Sequence, residues 1–218
     1  MKDANCPYCA GGKADSLGRR VWALNVSTVY LFPEQSHRGR VVVVSRSHAA
    51  ELIDLPLRER QAFMEDVATV ARALRQALDP QRINYGAFGD TCGHLHFHLV
   101  PMYADDAFEW GEAFALNPQR KFLSDGEAAD LSAKIAAELV SGGVDLRRSL
   151  EEMRREIMAD GRIDFGETSF LLKVLSPLED TGATIGAFVK ALREVRADRV
   201  ITQAESDRIM GLLDDLLA

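Results

Sequence analysis

The sequence lacks the features that mark secreted and membrane proteins. Its 218 residues contain only three cysteines, an odd number that suits no closed set of disulfides. No apolar run approaches the roughly 20 residues needed to cross a bilayer. The first residues also lack the apolar core of a secretory signal. We therefore expect a cytoplasmic protein with no role in a membrane.

Negative charge is scarce in the first half of the chain and concentrated in the second. Residues 1–104 contain 12 Lys and Arg against 10 Asp and Glu, whereas residues 105–218 contain 14 against 23. An acidic second half argues against nucleic acid as a partner, and a nearly neutral first half can accept a small anionic substrate. Hydrophobic residues make up 47% of the chain, which argues against disorder and allows one large domain or two small ones.

Histidine is scarce as well, yet three of the five histidines form one alternating run: His94, His96 and His98. Side chains at i, i+2 and i+4 of a strand share a face, so the run predicts three imidazoles on one surface. A neutral imidazole can attack phosphorus, and a neighbouring one can stabilise the charge that develops. The alternatives are a solvated strand face, or a catalytic metal that the three imidazoles bind and that activates water.

Cys6 and Cys9 have the spacing of a metal or redox site. A redox pair needs an exposed thiol at a helix start, whereas a pair near a chain terminus is typical of a zinc clasp. Two cysteines supply only half of a tetrahedral ligand set, and two unliganded thiols remain a third interpretation. Cys92 is interpreted as a small buried or loop residue.

The spacing of apolar residues predicts an α+β fold for the first 104 residues. Residues 20–32 and 40–46 have the composition of strands, and residues 57–78 have the spacing of a helix. Two further strands are predicted over residues 83–88 and 95–103. This order of elements favours an antiparallel α+β sandwich.

The remaining chain is predicted to be helical. A capping box, Ser124 with Glu127, opens a helix over residues 124–140, and Gly142 and Gly143 mark a domain boundary. Beyond that boundary, a weak repeat of period 38 predicts two helical hairpins. Each copy has an inward-facing Ile followed by a capping pair: Asp164 with Glu167, and Thr202 with Glu205.

The histidine run and its surroundings resemble the histidine triad (HIT) proteins, which are nucleotide hydrolases and nucleotidyl transferases. The resemblance covers roughly residues 1–140 and includes Cys6-x-x-Cys9, Gly39 before the Val-rich strand, His48 after it, the long helix, and Gly89-Asp90-Thr91 ahead of the triad. It implies an HIT domain over residues 1–141, with an antiparallel sheet and flanking helices. A small all-α domain would follow over residues 144–218. The resemblance also implies a homodimer.

The same resemblance implies roles for individual residues. In the family the middle histidine forms a covalent nucleotidyl-histidine, so His96 is expected to attack the α-phosphate of a nucleotide phosphoanhydride, phosphoramidate or ester. His98 is expected to contact the phosphate and assist departure of the leaving group. Thr91 corresponds to a family hydroxyl that contacts phosphate, and Gly89 and Asp90 belong to the same loop.

A structural zinc ion is also implied by the resemblance. Zinc-bearing relatives complete their ligand set with a histidine after the second strand and the first histidine of the triad. In this chain the set is Cys6, Cys9, His48 and His94. The ion would tie the N-terminus to the histidine strand and so hold His96 in place.

Two residues, Arg40 and Phe32, differ from common family patterns, and a third, Asn84, is a candidate substrate contact. Arg40 replaces a frequent histidine, and it is interpreted either as a clamp for phosphate oxygens or as a solvent-facing residue. Phe32 lies where many members have an acidic residue that grips ribose. Asn84 is a candidate for a polar contact to a nucleoside.

The helical repeat resembles the TerB-like domains linked to tellurite-resistance proteins. That resemblance implies an interaction module with a protein partner, and the alternative is a helical extension that stabilises a dimer. Together with Arg40 and Phe32, the helical domain favours a second functional hypothesis. In it, a catalytically weak nucleotide-binding module senses its ligand and signals through the helices.

Overall fold

A computed structural model describes Cys6, Tyr8, Cys9 and residues 18–90, 92–104 and 120–218. Contacts divide the chain into two compact units, Met1–Glu138 and Leu139–Ala218. The described strands are β1 (Arg19–Ala23), β2 (Ser27–Leu31), β3 (Val41–Ser45), β4 (Arg82–Gly86) and β5 (His96–Met102). The described α-helices are α1 (Leu57–Leu78), α2 (Asp125–Ser141), α3 (Leu146–Asp160), α4 (Phe165–Leu175), α5 (Ala183–Val195) and α6 (Gln203–Leu217). Short 3-10 helices span Leu52–Asp54 and Ser176–Thr181.

The first unit contains one five-stranded sheet with the order β1-β2-β3-β5-β4. Every neighbouring pair is antiparallel, so the predicted antiparallel α+β sheet is confirmed. One prediction within it was wrong, because residues 20–32 form a hairpin instead of one strand. The turn is closed by the Leu24 amide, which donates to the Ser27 carbonyl at 2.9 Å. Strand-forming residues flank it on both sides, so the composition alone did not reveal the turn.

One face of the sheet packs against α1. Val29, Val43 and Phe97 lie directly across from one another on three adjacent strands, and each contributes to this face. The Phe63 ring of α1 meets the Phe97 ring edge-on, with centroids 5.9 Å apart. Helix α1 has the predicted bounds, and its apolar stripe is buried.

The opposite face of the sheet carries the histidines. Because successive side chains of a strand alternate, His96 and His98 point away from the side on which Phe97 meets α1. His96 lies across from Val44, and His98 lies between Val42 on one side and Gly86 on the other. The predicted display of imidazoles on one face is therefore confirmed for these two.

The second unit is helical, and both predicted capping boxes are formed. The Glu167 amide donates to Asp164 Oδ1 at 2.7 Å, and Thr202 caps α6 in the same way. Ile163 and Ile201 are buried, as the repeat predicts. Helix α6 contacts both α5 and α3.

Across the part of the chain that the structure describes, no helix has the length and apolarity of a membrane span.

Asp66 joins α1 to the β1–β2 hairpin. Its carboxylate is buried and accepts from the Ser27 hydroxyl at 2.7 Å and from the Val26 amide at 3.0 Å. Burial raises the pKa of Asp66. The Ser27 hydroxyl has no access to bulk water in place of this acceptor, since Ser27 is fully buried.

Replacing Asp66 with Ala is expected to lower the free energy of unfolding by about 2 kcal/mol, because it leaves the buried Ser27 hydroxyl without its acceptor. The matched control is Glu65→Ala, which removes an exposed carboxylate from the same helix and is expected to change stability by less than about 0.5 kcal/mol. Urea unfolding of both variants measures the difference. Equal losses in the two variants would contradict this role of Asp66.

Candidate active site

Two cysteines and two histidines converge at the start of β5. His94 Nδ1 lies 3.3 Å from Cys6 Sγ and 3.5 Å from Cys9 Sγ. His48 Nδ1 lies 3.3 Å from both Cys9 Sγ and His94 Nδ1. The four ligand atoms all lie within 4.8 Å of one another. The structure thus brings together the complete ligand set expected from the sequence.

The dimensions of this cluster fit a tetrahedral zinc site. Zn–S bonds of about 2.3 Å and Zn–N bonds of about 2.0–2.1 Å place neighbouring ligand atoms about 3.3–3.8 Å apart. The N–H of His94 Nε2 donates to the Ser45 carbonyl at 2.8 Å, which leaves the lone pair on Nδ1 pointing toward the other ligands. Burial lowers the pKa of His94 and so favours the neutral form that binds metal. These four residues could hold a metal ion.

Tyr8 lies between the cluster and the next histidine. Its ring centroid is 5.3 Å from that of His94 and 5.6 Å from that of His96. Burial raises the pKa of Tyr8 to about 12, so its hydroxyl stays protonated at neutral pH. Tyr8 was not expected in the site. Its position between Cys6 and Cys9 could have indicated this, because residues between two metal ligands lie close to the metal site.

His96 is oriented by its own strand. Its Nδ1 donates to the His94 carbonyl at 2.7 Å, which leaves Nε2 as the nitrogen with the lone pair. The side chain is 7% exposed. The His96 and His98 rings meet at 78° with centroids 5.2 Å apart. A neutral imidazole with a fixed tautomer and an unprotonated Nε2 is the form that can act as a nucleophile.

His98 has the opposite tautomer. Its Nδ1 lies 3.2 Å from Nη2 of Arg40, and a guanidinium can only donate. Nδ1 is therefore the acceptor, and Nε2 carries the proton. Burial, together with the charges of Arg40 and His96, lowers the pKa of His98 to about 3, so the ring is neutral at physiological pH.

Arg40 is 8% exposed, which excludes the solvent-facing interpretation. Its Cζ lies 4.1 Å above the Phe32 ring, and its Nη1 lies 3.6 Å from Glu34 Oε2. The Phe32 ring in turn meets the His98 ring edge-on at 5.3 Å. Glu34 was not expected in the site, because no sequence spacing indicated that it would pair with Arg40.

The other expected substrate contacts lie on or beside β4. Asn84 is half-buried and lies across from Val100, on the face that carries the histidines. Gly89 and Asp90 are exposed in the loop that follows β4, and Thr91 lies outside the described residues. Phe88, which was not predicted, has its ring centroid 6.0 Å from that of His98.

Two comparisons of sequence agree with this geometry. Residues 28–105 match the model of the HIT domain. The adenosine 5′-monophosphoramidase of Saccharomyces cerevisiae is 27% identical over 104 residues, which are 45% of this chain and 63% of the yeast protein. The match therefore spans less than two thirds of that relative.

Solved structures show the same fold. A histidine triad protein of Bradyrhizobium japonicum superposes with a TM-score of 0.54 at 20% identity, covering 58% of this chain and 94% of the other. A histidine triad protein of Marinobacter aquaeolei VT8 gives 0.54 at 18% identity, covering 59% and 93%. The chain therefore has the fold of solved histidine triad (HIT) proteins, with a match to the HIT domain model over residues 28–105, and it has further C-terminal helices.

Proposed function

We propose that the HIT domain is a nucleotide phosphohydrolase or nucleotidyl transferase that acts at the α-phosphate through a covalent intermediate on His96. The observation that carries the proposal is the bond from His96 Nδ1 to the His94 carbonyl, because it leaves the Nε2 lone pair for attack on phosphorus. The match to the HIT domain and the phosphoramidase name of the yeast relative support the choice of nucleotide chemistry.

The proposed reaction has two displacements. In the first, the His96 Nε2 lone pair forms an N–P bond while the bond from phosphorus to the leaving group breaks, and its electron pair departs with that group. In the second, water or another acceptor forms a bond to phosphorus and releases its proton to solvent, while the N–P bond breaks and its electron pair returns to Nε2. The N–H of His98 Nε2 donates to a phosphate oxygen and stabilises the charge of each transition state.

The remaining substrate contacts are assigned by position. We assign Gly89, Asp90 and Thr91 to the phosphate side of the site, since they belong to the loop between β4 and β5. Asn84 is assigned to the nucleoside, because it lies on the histidine face two residues from Gly86, which opposes His98. Arg40 is assigned to His98, which it contacts directly.

We propose that Cys6, Cys9, His48 and His94 hold a structural zinc ion, which would tie the N-terminal segment to the strand that carries His96. The cysteines lie far from β5 in sequence, so the ion would act as a cross-link.

Catalysis by a metal bound to all three histidines has no support in the geometry. His96 Nδ1 and His98 Nδ1 are each engaged by a protein atom, and the His94 lone pair faces the cysteines.

A homodimer, and a protein partner for the helices of residues 144–218, stay proposals that derive from the two resemblances. The same holds for the likeness of those helices to TerB-like domains, for the domain limits at residues 141 and 144, and for a cytoplasmic location.

Replacing His96 with Ala is expected to lower the rate of the first turnover by at least about 1,000-fold, because it removes the attacking atom. Rapid-quench assays with a panel of nucleotides labelled at the α-phosphate are expected to place acid-labile label on His96 of the unmodified protein. Tyr85→Phe is the control, since Tyr85 is exposed on β4 and opposes Leu99, on the other face. Full activity or undiminished labelling in His96→Ala would refute the mechanism.

The purified chain is expected to contain one zinc ion, and Cys6→Ala or His94→Ala is expected to lose it, because either change removes one of four ligands. Loss of the ion is also expected to lower the melting temperature, since metal affinity contributes to folding. Tyr85→Phe is again the control, because Tyr85 is exposed and is not one of the four ligands. Elemental analysis that finds the same zinc content in Cys6→Ala and Tyr85→Phe would contradict the assignment.

A further inference from the structure

Arg40 is held against His98 from several directions. The guanidinium stacks on Phe32 at 4.1 Å and lies 3.6 Å from the Glu34 carboxylate. Buried Gln35 fixes the backbone behind it, since its Nε2 donates to the Arg40 carbonyl at 2.9 Å and its Oε1 accepts from the Gly39 amide at 2.8 Å. Arg40 is thus a fixed group of the site rather than a mobile surface side chain.

Gly39 makes this approach possible. Its φ is +88°, in the left-handed region that favours glycine, and an added Cβ would clash with Leu78 Cδ1. Because of this turn, the residue after Gly39 lies on the face of the sheet that carries the histidines. That residue is Arg40, whose Nη2 reaches His98 Nδ1 at 3.2 Å.

The contact, together with burial, keeps His98 neutral. If Nδ1 also held a proton, an N–H of the imidazolium would face an N–H of a guanidinium, and two positive charges would lie in contact. A phosphate at Nε2 favours the cation, but it does not remove this clash at Nδ1. Around His98, His96 is the neighbouring titratable group on β5, Glu34 lies beyond Arg40, and Gly86 of β4 contributes no charge.

A neutral imidazole is a hydrogen-bond donor but a poor acid. A leaving group that is itself a phosphate departs as a stable anion and needs no proton. An amine leaving group of a phosphoramidate must acquire a proton as the P–N bond breaks, because the amide anion is strongly basic. A site in which His98 cannot become an imidazolium therefore treats these two classes differently.

We infer that Arg40 keeps His98 as a donor that does not release a proton, so that this site cleaves nucleotide phosphoanhydrides in preference to phosphoramidates. The inference rests on the proposed function and names its substrate class. In the favoured reaction the His96 Nε2–P bond forms, the P–O bond to the leaving phosphate breaks, and the electron pair stays on that oxygen. Arg40 is a positioning residue, since it acts through His98.

The test is a series of adenosine 5′-phosphoryl compounds that differ only in the leaving group: phosphate, phenolates of graded acidity, and an amine. In the unmodified chain, kcat/KM is expected to fall by about 100-fold or more from phosphate to amine, the factor that a general acid ordinarily supplies. The double variant Arg40→Met, Glu34→Gln lets His98 Nδ1 take up a proton, and it removes the charge of Glu34 together with that of Arg40. In the double variant, the ratio of kcat/KM for the phosphate compound to kcat/KM for the amine compound is expected to be smaller by at least about tenfold.

Two control variants isolate the guanidinium contact. Glu34→Gln alone is expected to leave the ratio unchanged, because Arg40 still contacts His98. Arg40→Lys is expected to retain the preference, since it keeps a charged donor. The pH profile adds a readout that a loss of folding does not produce. With the amine compound, the double variant is expected to gain a basic limb at a pH below the ordinary histidine pKa of about 6.5, because His98 stays buried.

Labelling of His96 distinguishes a failure of the proposed function from a failure of the inference about Arg40. If no compound labels His96 or turns over, the proposed function fails, and this inference fails with it. If His96 is labelled but the unmodified chain cleaves the amine compound as fast as the phosphate compound, only the inference is overturned. It is also overturned if the double variant keeps the ratio of the unmodified chain. The inference is supported if kcat/KM depends steeply on the leaving group in the unmodified chain and in Glu34→Gln, and depends on it less in the double variant.

Discussion

The antiparallel pairing of β3 with β5 is the interaction on which the site depends. It sets Val42 across from His98 and Val44 across from His96. The residue just before β3 is Arg40, and the last residue of β3 is Ser45, so one strand supplies partners to both ends of the histidine run. A slip of one residue in this register would turn every imidazole toward α1. Phe97, packed on Phe63, resists such a slip, because it would have to leave the core.

Each of the three imidazoles has a different partner, and the partners make them chemically unequal. A backbone carbonyl accepts from Nε2 of His94, which turns the lone pair of Nδ1 toward the cysteines. A backbone carbonyl accepts from Nδ1 of His96, which reverses the arrangement and leaves the lone pair on Nε2. A guanidinium donates to Nδ1 of His98 and places the proton on Nε2. One alternating pattern in sequence therefore gives three imidazoles with different hydrogen-bonding partners, for which we propose the roles of metal ligand, nucleophile and hydrogen-bond donor.

Local patterns in the sequence predicted the elements that local physics determines. The apolar stripe of α1, the alternation along β5 and the capping boxes at Asp164 and Thr202 all follow from neighbours within a few residues. The hairpin within residues 20–32 did not, since its turn is short and its flanks are uniformly strand-forming. The cysteine and histidine set was expected through the resemblance to HIT proteins, and the structure brings its four members together.

The surroundings of His98 were beyond sequence reasoning. Arg40 lies 58 positions from His98, and Glu34 and Phe88 approach from two different loops. Their meeting depends on strand register and on the turn at Gly39, which no spacing along the chain encodes. The substitution at position 40 was visible in the sequence, but its consequence for the protonation of His98 required the fold.

Backbone and side-chain partners give His96 one tautomer and His94 and His98 the other. Nitrogen-15 NMR of the histidine rings at neutral pH, in the zinc-loaded chain, measures the protonation of each ring nitrogen. We expect a metal-bound Nδ1 with a protonated Nε2 for His94, a protonated Nδ1 with an unprotonated Nε2 for His96, and an unprotonated Nδ1 with a protonated Nε2 for His98. A protonated Nε2 on His96, or an imidazolium at His98, would contradict this assignment of tautomers.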